Sequence, residues 1–222
     1  MAVKIKYGLD ITSKKIKYIS EVPKGEKCNC ICLECRGVLI AKKGKIQKHH
    51  FQHKTKNYCS GGNPETLLHL IGKMIIKDNN EILLSDKNYF QYSNAIIEKQ
   101  LNGFKPDVVV ENDEKEIWLI EIAVTHFIDE SKIEKIQKEQ MNCIEIELNK
   151  NLIHKDLEAI KNDVLFNPKN RKIINDAKEL LNTKKNTEKK TKWRTDIILI
   201  IIAIALLFGK QIKKLLKNII SN

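Results

Sequence analysis

Apolar residues recur along this chain with two periods, and the switches between them mark out its elements. Val3-Ile5-Tyr7 and Ile16-Tyr18 alternate with polar residues, which predicts a strand pair at the start. Val38-Leu39-Ile40 leads into a Lys-Gly turn and reads as part of a β-hairpin. After the Gly61-Gly62-Asn63-Pro64 break, Leu67, Leu68, Ile71, Met74 and Ile75 fall on one stripe of a helix that opens at Pro64 and Glu65. A strand is predicted from Tyr89 to Ile97, and a hairpin from 107–111 and 116–125, turning at Glu111-Asn112-Asp113-Glu114. Residues 128–140 fit a helix with Ile133 and Ile136 inward, 143–148 a strand, and 152–181 two helical stretches interrupted around Asn167-Pro168. Helix, three strands, helix, strand is an α/β core whose sheet is covered by helices.

The end of the chain follows a different pattern. "NTKKNTEKKTK", 182–192, is charged without apolar period and reads as a basic linker over 182–194. "IILIIIAIALLF", 197–208, is a run of twelve apolar residues. As a helix it spans roughly 18 Å, short of the ~30 Å hydrocarbon core of a bilayer. Next, Ile212, Leu215, Leu216, Ile219 and Ile220 share one helical face while Lys210, Lys213, Lys214 and Lys217 share the other. Snorkelling lysines can extend the span or hold the helix in the headgroup layer, so 195–222 is expected to attach to a membrane. Both flanks are basic and give no orientation.

Charge divides the chain in the same places. The formal net charge is +12, but residues 1–59 carry 14 Lys/Arg against 4 Asp/Glu, 60–183 carry 16 against 22, and 184–222 carry 10 against 2. Basic ends around an acidic middle suit a polyanion or anionic membrane held at the ends, with cation-dependent chemistry between them. Only Arg36, Arg171 and Arg194 are arginines, so bidentate reading of guanine edges has few candidates and sequence-specific duplex recognition is not expected. "MAVKIKYGLD" has no apolar signal core, and four of the six cysteines fall within eight residues. Metal binding in a cytoplasmic domain is therefore expected ahead of disulfides.

Cys32-x2-Cys35 is followed, across 14 residues, by His50-x2-His53, with the hairpin between them. Two such pairs can close a tetrahedron around Zn²⁺. Cys28, Cys30, His49 and Cys59 lie close enough to compete, and His49-x3-His53 fits the usual finger spacing.

The second constellation is acidic. On the strand ending at 125, Glu121, Ala123 and Thr125 point one way and Ile122, Val124 and His126 the other, while Asp107 opens the facing strand after Pro106. Two carboxylates brought to one edge repel unless a cation lies between them. Mg²⁺ suits two carboxylates plus a substrate phosphate and supplies Lewis acidity for attack on a phosphodiester. On the helix, Glu65, His69 and Lys73 recur every four residues and line a single edge.

Taken in order, "HHFQH" after a CxxC, "ETLLHLIGK", "PDVVV...IEIAVTH" and "CIEIEL" resemble the CoiA-like competence-protein group of PD-(D/E)xK nucleases, over roughly residues 1–175. The resemblance implies a small zinc-binding β module (1–60) and a restriction-endonuclease-like α/β core (61–181), ahead of the C-terminal hydrophobic helix (195–222) read from the apolar run. It makes Asp107, Glu121 and Glu65 magnesium-binding acids and Cys32, Cys35, His50 and His53 zinc ligands. One position departs: the lysine expected two residues after Glu121 is Ala123. That lysine would orient or deprotonate the attacking water. Lys73, then His69 and Lys132, are the candidates to replace it, whereas His126 has the wrong strand parity. The implied function is a Mg²⁺-dependent deoxyribonuclease or DNA-processing protein of low sequence specificity, with structural Zn²⁺, single- or double-stranded DNA as partner, and a membrane tether. Two alternatives follow from Ala123 and from the tail: a nucleic-acid-binding protein without catalysis, and a membrane-anchored interaction protein stapled by zinc.

Overall fold

Alternation near the start of the chain produces β1 (Tyr7–Asp10) and β2 (Ile16–Tyr18), antiparallel, with β3 (Cys30–Ile31) on the other side of β1. The strand begins later than the Val3-Ile5-Tyr7 pattern predicts; Ile5 makes only an isolated bridge to Phe51. β4 (Leu39–Lys42) and β5 (His50–His53) form the expected hairpin, with Leu39 opposite His53 and Lys42 opposite His50. Ile5, Ile19, Val22, Leu39 and Phe51 gather with Cys28, Cys30 and Cys32 into a small core of their own.

The computed structural model describes residues 4–55, 59, 63–101, 103–177 and 197. Contacts divide the chain into two units, Met1–Asp176 and Ala177–Asn222. The linker and membrane-attaching helix expected at 182–222 lie outside the described residues, Ile197 apart, and among those described no helix is long and apolar enough to cross a membrane.

α1 (Pro64–Lys77) starts where Asn63 Oδ1 accepts the Glu65 N–H at 3.2 Å, an N-cap with proline at the first helical position. β6 (Glu81–Ser85) and β7 (Asn88–Gln91) pair as a separate ribbon. They are followed by β8 (Asn94–Ile97), β9 (Val108–Glu111) and β10 (Ile117–Ala123), then α2 (Glu130–Lys138), β11 (Asn142–Glu147), α3 (Leu157–Phe166) and β12 (Arg171–Asn175). The single strand predicted over Tyr89–Ile97 is thus two strands in different sheets. The second of the two helical stretches predicted over 152–181 is instead replaced at 171–175 by β12. Arg171-Lys172-Ile173-Ile174 carries no local signal strong enough to oppose pairing with β11.

The main sheet runs β12-β11-β10-β9-β8, parallel only between β10 and β11, which α2 connects. Its faces separate by residue parity. Val108, Val110, Trp118, Ile120, Ile122, Ile144 and Ile146 pack with the stripe of α1 and with Ile160, Val164 and Leu165 of α3. Val109, Leu119 and Cys143 pack with Ile133 and Ile136 of α2. Gly72 allows α1 its close approach to β10, since a Cβ there would lie 2.8 Å from Ile122 Cδ1.

Candidate functional site

At the base of the β4–β5 hairpin, Cys32, Cys35, His53 and Cys59 bring one ligand atom each to within 4.8 Å of one another. Cys35 Sγ lies 3.2 Å from His53 Nε2, and the Cys32 and Cys59 sulfurs are 4.0 Å apart. Three thiols and an imidazole could hold a structural metal such as zinc. His50, expected as a ligand, is outside this group. Residues 50 and 53 are an odd number apart on β5, so their side chains leave opposite faces, and His50 Nδ1 instead sits 2.9 Å from Lys48 O. Cys59 takes the fourth place. Cys28 and Cys30 turn into the small core, their thiols donating to Leu39 O (3.3 Å) and Cys28 O (3.0 Å), and burial pushes the Cys30 thiol up to about 12.

A second site runs across the main sheet. Ile120 pairs with Val108, so one step further along the antiparallel register Asp107 stands opposite Glu121. The same reasoning from Ile97 and Val108 puts Glu98 opposite Asp107, and the Glu98 N–H donates to Asp107 O at 2.9 Å. Glu121 pairs with Glu145 of β11, which pairs with Lys172 of β12. Four acidic residues thus follow one another across four adjacent strands, Glu98 and Asp107 meeting α1 and Glu121 and Glu145 meeting α2 and the segment before it, an arrangement that self-repulsion opposes unless cations or N–H groups face it.

Each acid has such a partner. Asp107 Oδ2 lies 2.6 Å from His69 Nε2 and accepts the Ile122 N–H at 2.9 Å, while Lys73 Nζ is 3.0 Å from Oδ1. Lys73 also donates to Glu98 Oε1 at 2.8 Å, and Lys105 to Glu98 Oε2 at 2.8 Å. Lys132, in the first turn of α2, puts its ammonium 2.8 Å from both oxygens of Glu121. The ammonium thus straddles the buried carboxylate, hydrogen-bonding Oε2 and ion-pairing with Oε1. Glu145, 2% exposed, accepts the Ile128 N–H at 2.6 Å, with Lys172 Nζ at 3.9 Å.

These surroundings drive the acids apart in proton affinity. Burial alone would raise Asp107, but His69, the Ile122 N–H and Lys73 outweigh it and hold the carboxyl below its ordinary value. Glu98 is lowered to about 2, chiefly by Lys105 and Lys73. Glu121 goes the other way, to about 7, because burial prevails over Lys132 and the charge of Asp107 adds to it. Two neighbouring carboxyls, one ionised and one poised near neutrality, are a pairing that acid–base or metal chemistry uses and that purely structural networks also produce.

Of the residues singled out in the sequence, His69 and Lys73 meet Asp107, and Lys132 meets Glu121. Glu65 stands apart from them, its Oε1 3.6 Å from His126 Nε2. Among the described residues Asp107, Glu121 and Glu65 do not form a group with all ligand atoms within 4.8 Å. β10 ends at Ala123, so strand parity does not govern His126, whose side chain is exposed. Local pattern does not point to Glu98, Lys105 or Glu145. Glu98 gave no local signal, although it adopts the left-handed backbone (φ 54°) uncommon for a residue with a side chain. Glu145 was legible in principle, as an acid at an inward position of "CIEIEL". No protein-family model, no curated protein and no solved structure matches this chain.

Proposed function

We propose that the protein is a Mg²⁺-dependent DNA nuclease or DNA-processing protein of the CoiA-like, PD-(D/E)xK type. In this reading it acts on phosphodiesters with low sequence specificity and is tethered to a membrane by residues 195–222. The observation that carries the reading is the placement of Asp107 one step beyond the Val108–Ile120 pair, near the buried Glu121, whose carboxyl the charge of Asp107 helps to raise. Asp107 and Glu121 are the residues that would hold Mg²⁺, and bound there the ion supplies Lewis acidity toward a phosphodiester oxygen. Glu65, beside His126, joins the acids only through a change of side-chain position.

Lys132 rather than Lys73 is the amine suited to replace the lysine absent at Ala123. It reaches the second acid itself and remains partly open to solvent, whereas Lys73 is buried between Glu98 and Asp107. Its ammonium can orient a water near Glu121 and stabilise negative charge developing on a phosphate. His69 holds Asp107 in place and keeps it ionised.

A second reading is favoured by one fact: every acid in the row already has a cation or N–H partner within the chain. A fully paired buried network needs no metal, and the protein would then bind nucleic acid without cutting it. Incubation with supercoiled plasmid and with single-stranded DNA, in Mg²⁺ or Mn²⁺, separates the two. Cleavage by the wild type that Asp107→Ala loses supports the nuclease; equal behaviour of the two proteins eliminates cutting by this site.

A further inference from the structure

We propose that the tip of the β4–β5 hairpin is a contact for double-stranded DNA, in which Lys42, Lys45 and Lys48 meet backbone phosphates and Ile46 wedges against the base stack. The proposal shares with the proposed function only the premise that DNA is the substrate, and it names the duplex form and the element that grips it.

The chemistry of the segment is one-sided. From Arg36 to Pro64 there are seven Lys/Arg and no Asp/Glu. Lys42, Lys45 and Lys48 are exposed, and among the described residues none of the three meets an acidic side chain. Between them, at the turn, Ile46 is 99% exposed. A scattered apolar residue on a surface is ordinary. An isoleucine presented in full at the end of a ribbon, with lysines on either side, has the composition of a wedge that enters a groove while phosphates are held on both flanks.

The strands that carry this loop are tied to the rest of the module. Gly25 and Ala41 exchange two backbone hydrogen bonds, at 2.9 and 3.1 Å, and the Phe51 N–H donates to Ile5 O at 2.7 Å. Lys43 turns inward, its ammonium donating to Ser20 O at 3.1 Å and to Val22 O, so its charge is used to fix the turn. The opposite end is closed beside the Cys/His group that contains His53. Two-stranded ribbons fit DNA grooves, and apolar side chains entering the minor groove partially unstack a base step. The same tip buries too little apolar area to hold a protein on a bilayer, which favours DNA over lipid as the occupant. With no arginine in the tip, the contact is to backbone and shape, not to base edges.

The test uses the full-length protein, a 20-bp duplex carrying 2-aminopurine, and no added divalent cation, so that cutting does not intervene. Wild type is expected to bind with a steep salt dependence and to raise the 2-aminopurine fluorescence. The Lys42→Ser/Lys45→Ser/Lys48→Ser triple variant should flatten the slope of log affinity against log salt by about 3. Ile46→Ser should keep the slope and lose the fluorescence rise. All four positions are exposed, and unchanged circular dichroism and metal content verify folding. A triple variant with the wild-type slope, or an Ile46→Ser protein with the full fluorescence rise, overturns the proposal. Loss of sedimentation with phosphatidylcholine/phosphatidylglycerol vesicles, with duplex binding intact, also overturns it, in favour of a membrane. A wild type that binds in this way but never cleaves plasmid refutes the nuclease and leaves the hairpin contact standing.

Discussion

The ammonium of Lys132 lies 2.8 Å from each carboxylate oxygen of Glu121, on the strand whose position two residues further on, Ala123, has no amine to offer. The cation that faces Glu121 thus comes from the first turn of α2. Asp129 fixes that turn by capping the Lys132 N–H at 2.9 Å, and Glu145 holds the approach through the Ile128 N–H.

Lys132 and Lys73 should therefore fail differently when replaced. Lys132→Met is expected to lower the cleavage rate about 100-fold while leaving the urea midpoint within reach of the wild type. Lys73→Met removes a buried cation from between two acids and should cost about 3 kcal/mol of stability. Paired turnover and urea-unfolding measurements check this; a Lys73 variant as stable as wild type contradicts the assignment.

Protonation of Glu121 links stability to pH. Its carboxyl is raised from an ordinary value of 4.5 to about 7, first by burial. Between these values the native state keeps a proton that the unfolded chain has lost, so this group's contribution is fully present at low pH and declines as pH rises through 7, by about 3 kcal/mol in all. The difference in unfolding free energy between wild type and Glu121→Gln, measured at pH 4.5, 6 and 8, should shift in favour of the variant as pH increases.

In the proposed nuclease the same titration would gate metal binding: ionised Glu121 is the form that would take Mn²⁺ or Mg²⁺, so cleavage should rise between pH 6 and 8. Lys132 opposes the upward shift of Glu121, so Lys132→Met should move the midpoint of the profile upward. A flat profile over this range rules out Glu121 as a ligand.

For the Cys/His group, metal analysis of the purified chain is expected to return about one Zn²⁺ that Cys59→Ser loses and His50→Ala keeps. Loss from the His50 variant alone would restore the pairing expected from spacing.

Glu145→Ala should leave the Ile128 N–H without its acceptor and cost about 1–3 kcal/mol. Because that N–H precedes α2, turnover should fall with it, and isothermal urea unfolding alongside the plasmid assay tests both effects.

Local information carried much of this. The stripe of α1, the hairpin around the Lys-Gly turn, the β9–β10 pair and α2 are legible because their periods are set by neighbours within a few residues. Local period predicts a single strand over Tyr89–Ile97 and a helix over 171–175, whereas sheet membership depends on partners distant in the chain: β8 pairs with β9, β12 with β11. Asp107, Glu121, His69, Lys73 and Lys132 could be named from residue type and spacing, but not which amine meets which acid. Likewise, spacing offered His50 and Cys59 as ligands, and only the parity of β5 chose between them.

By itself the amino-acid order determined the α/β class, the clustering of cysteines in a basic stretch and the set of ionisable residues available for chemistry, since periodicity and residue type are local properties. The row Glu98-Asp107-Glu121-Glu145, and the lysines and histidine that face it, were decided by tertiary structure alone. Register between strands, and the helices laid against them, arise from burying apolar faces that lie far apart along the chain.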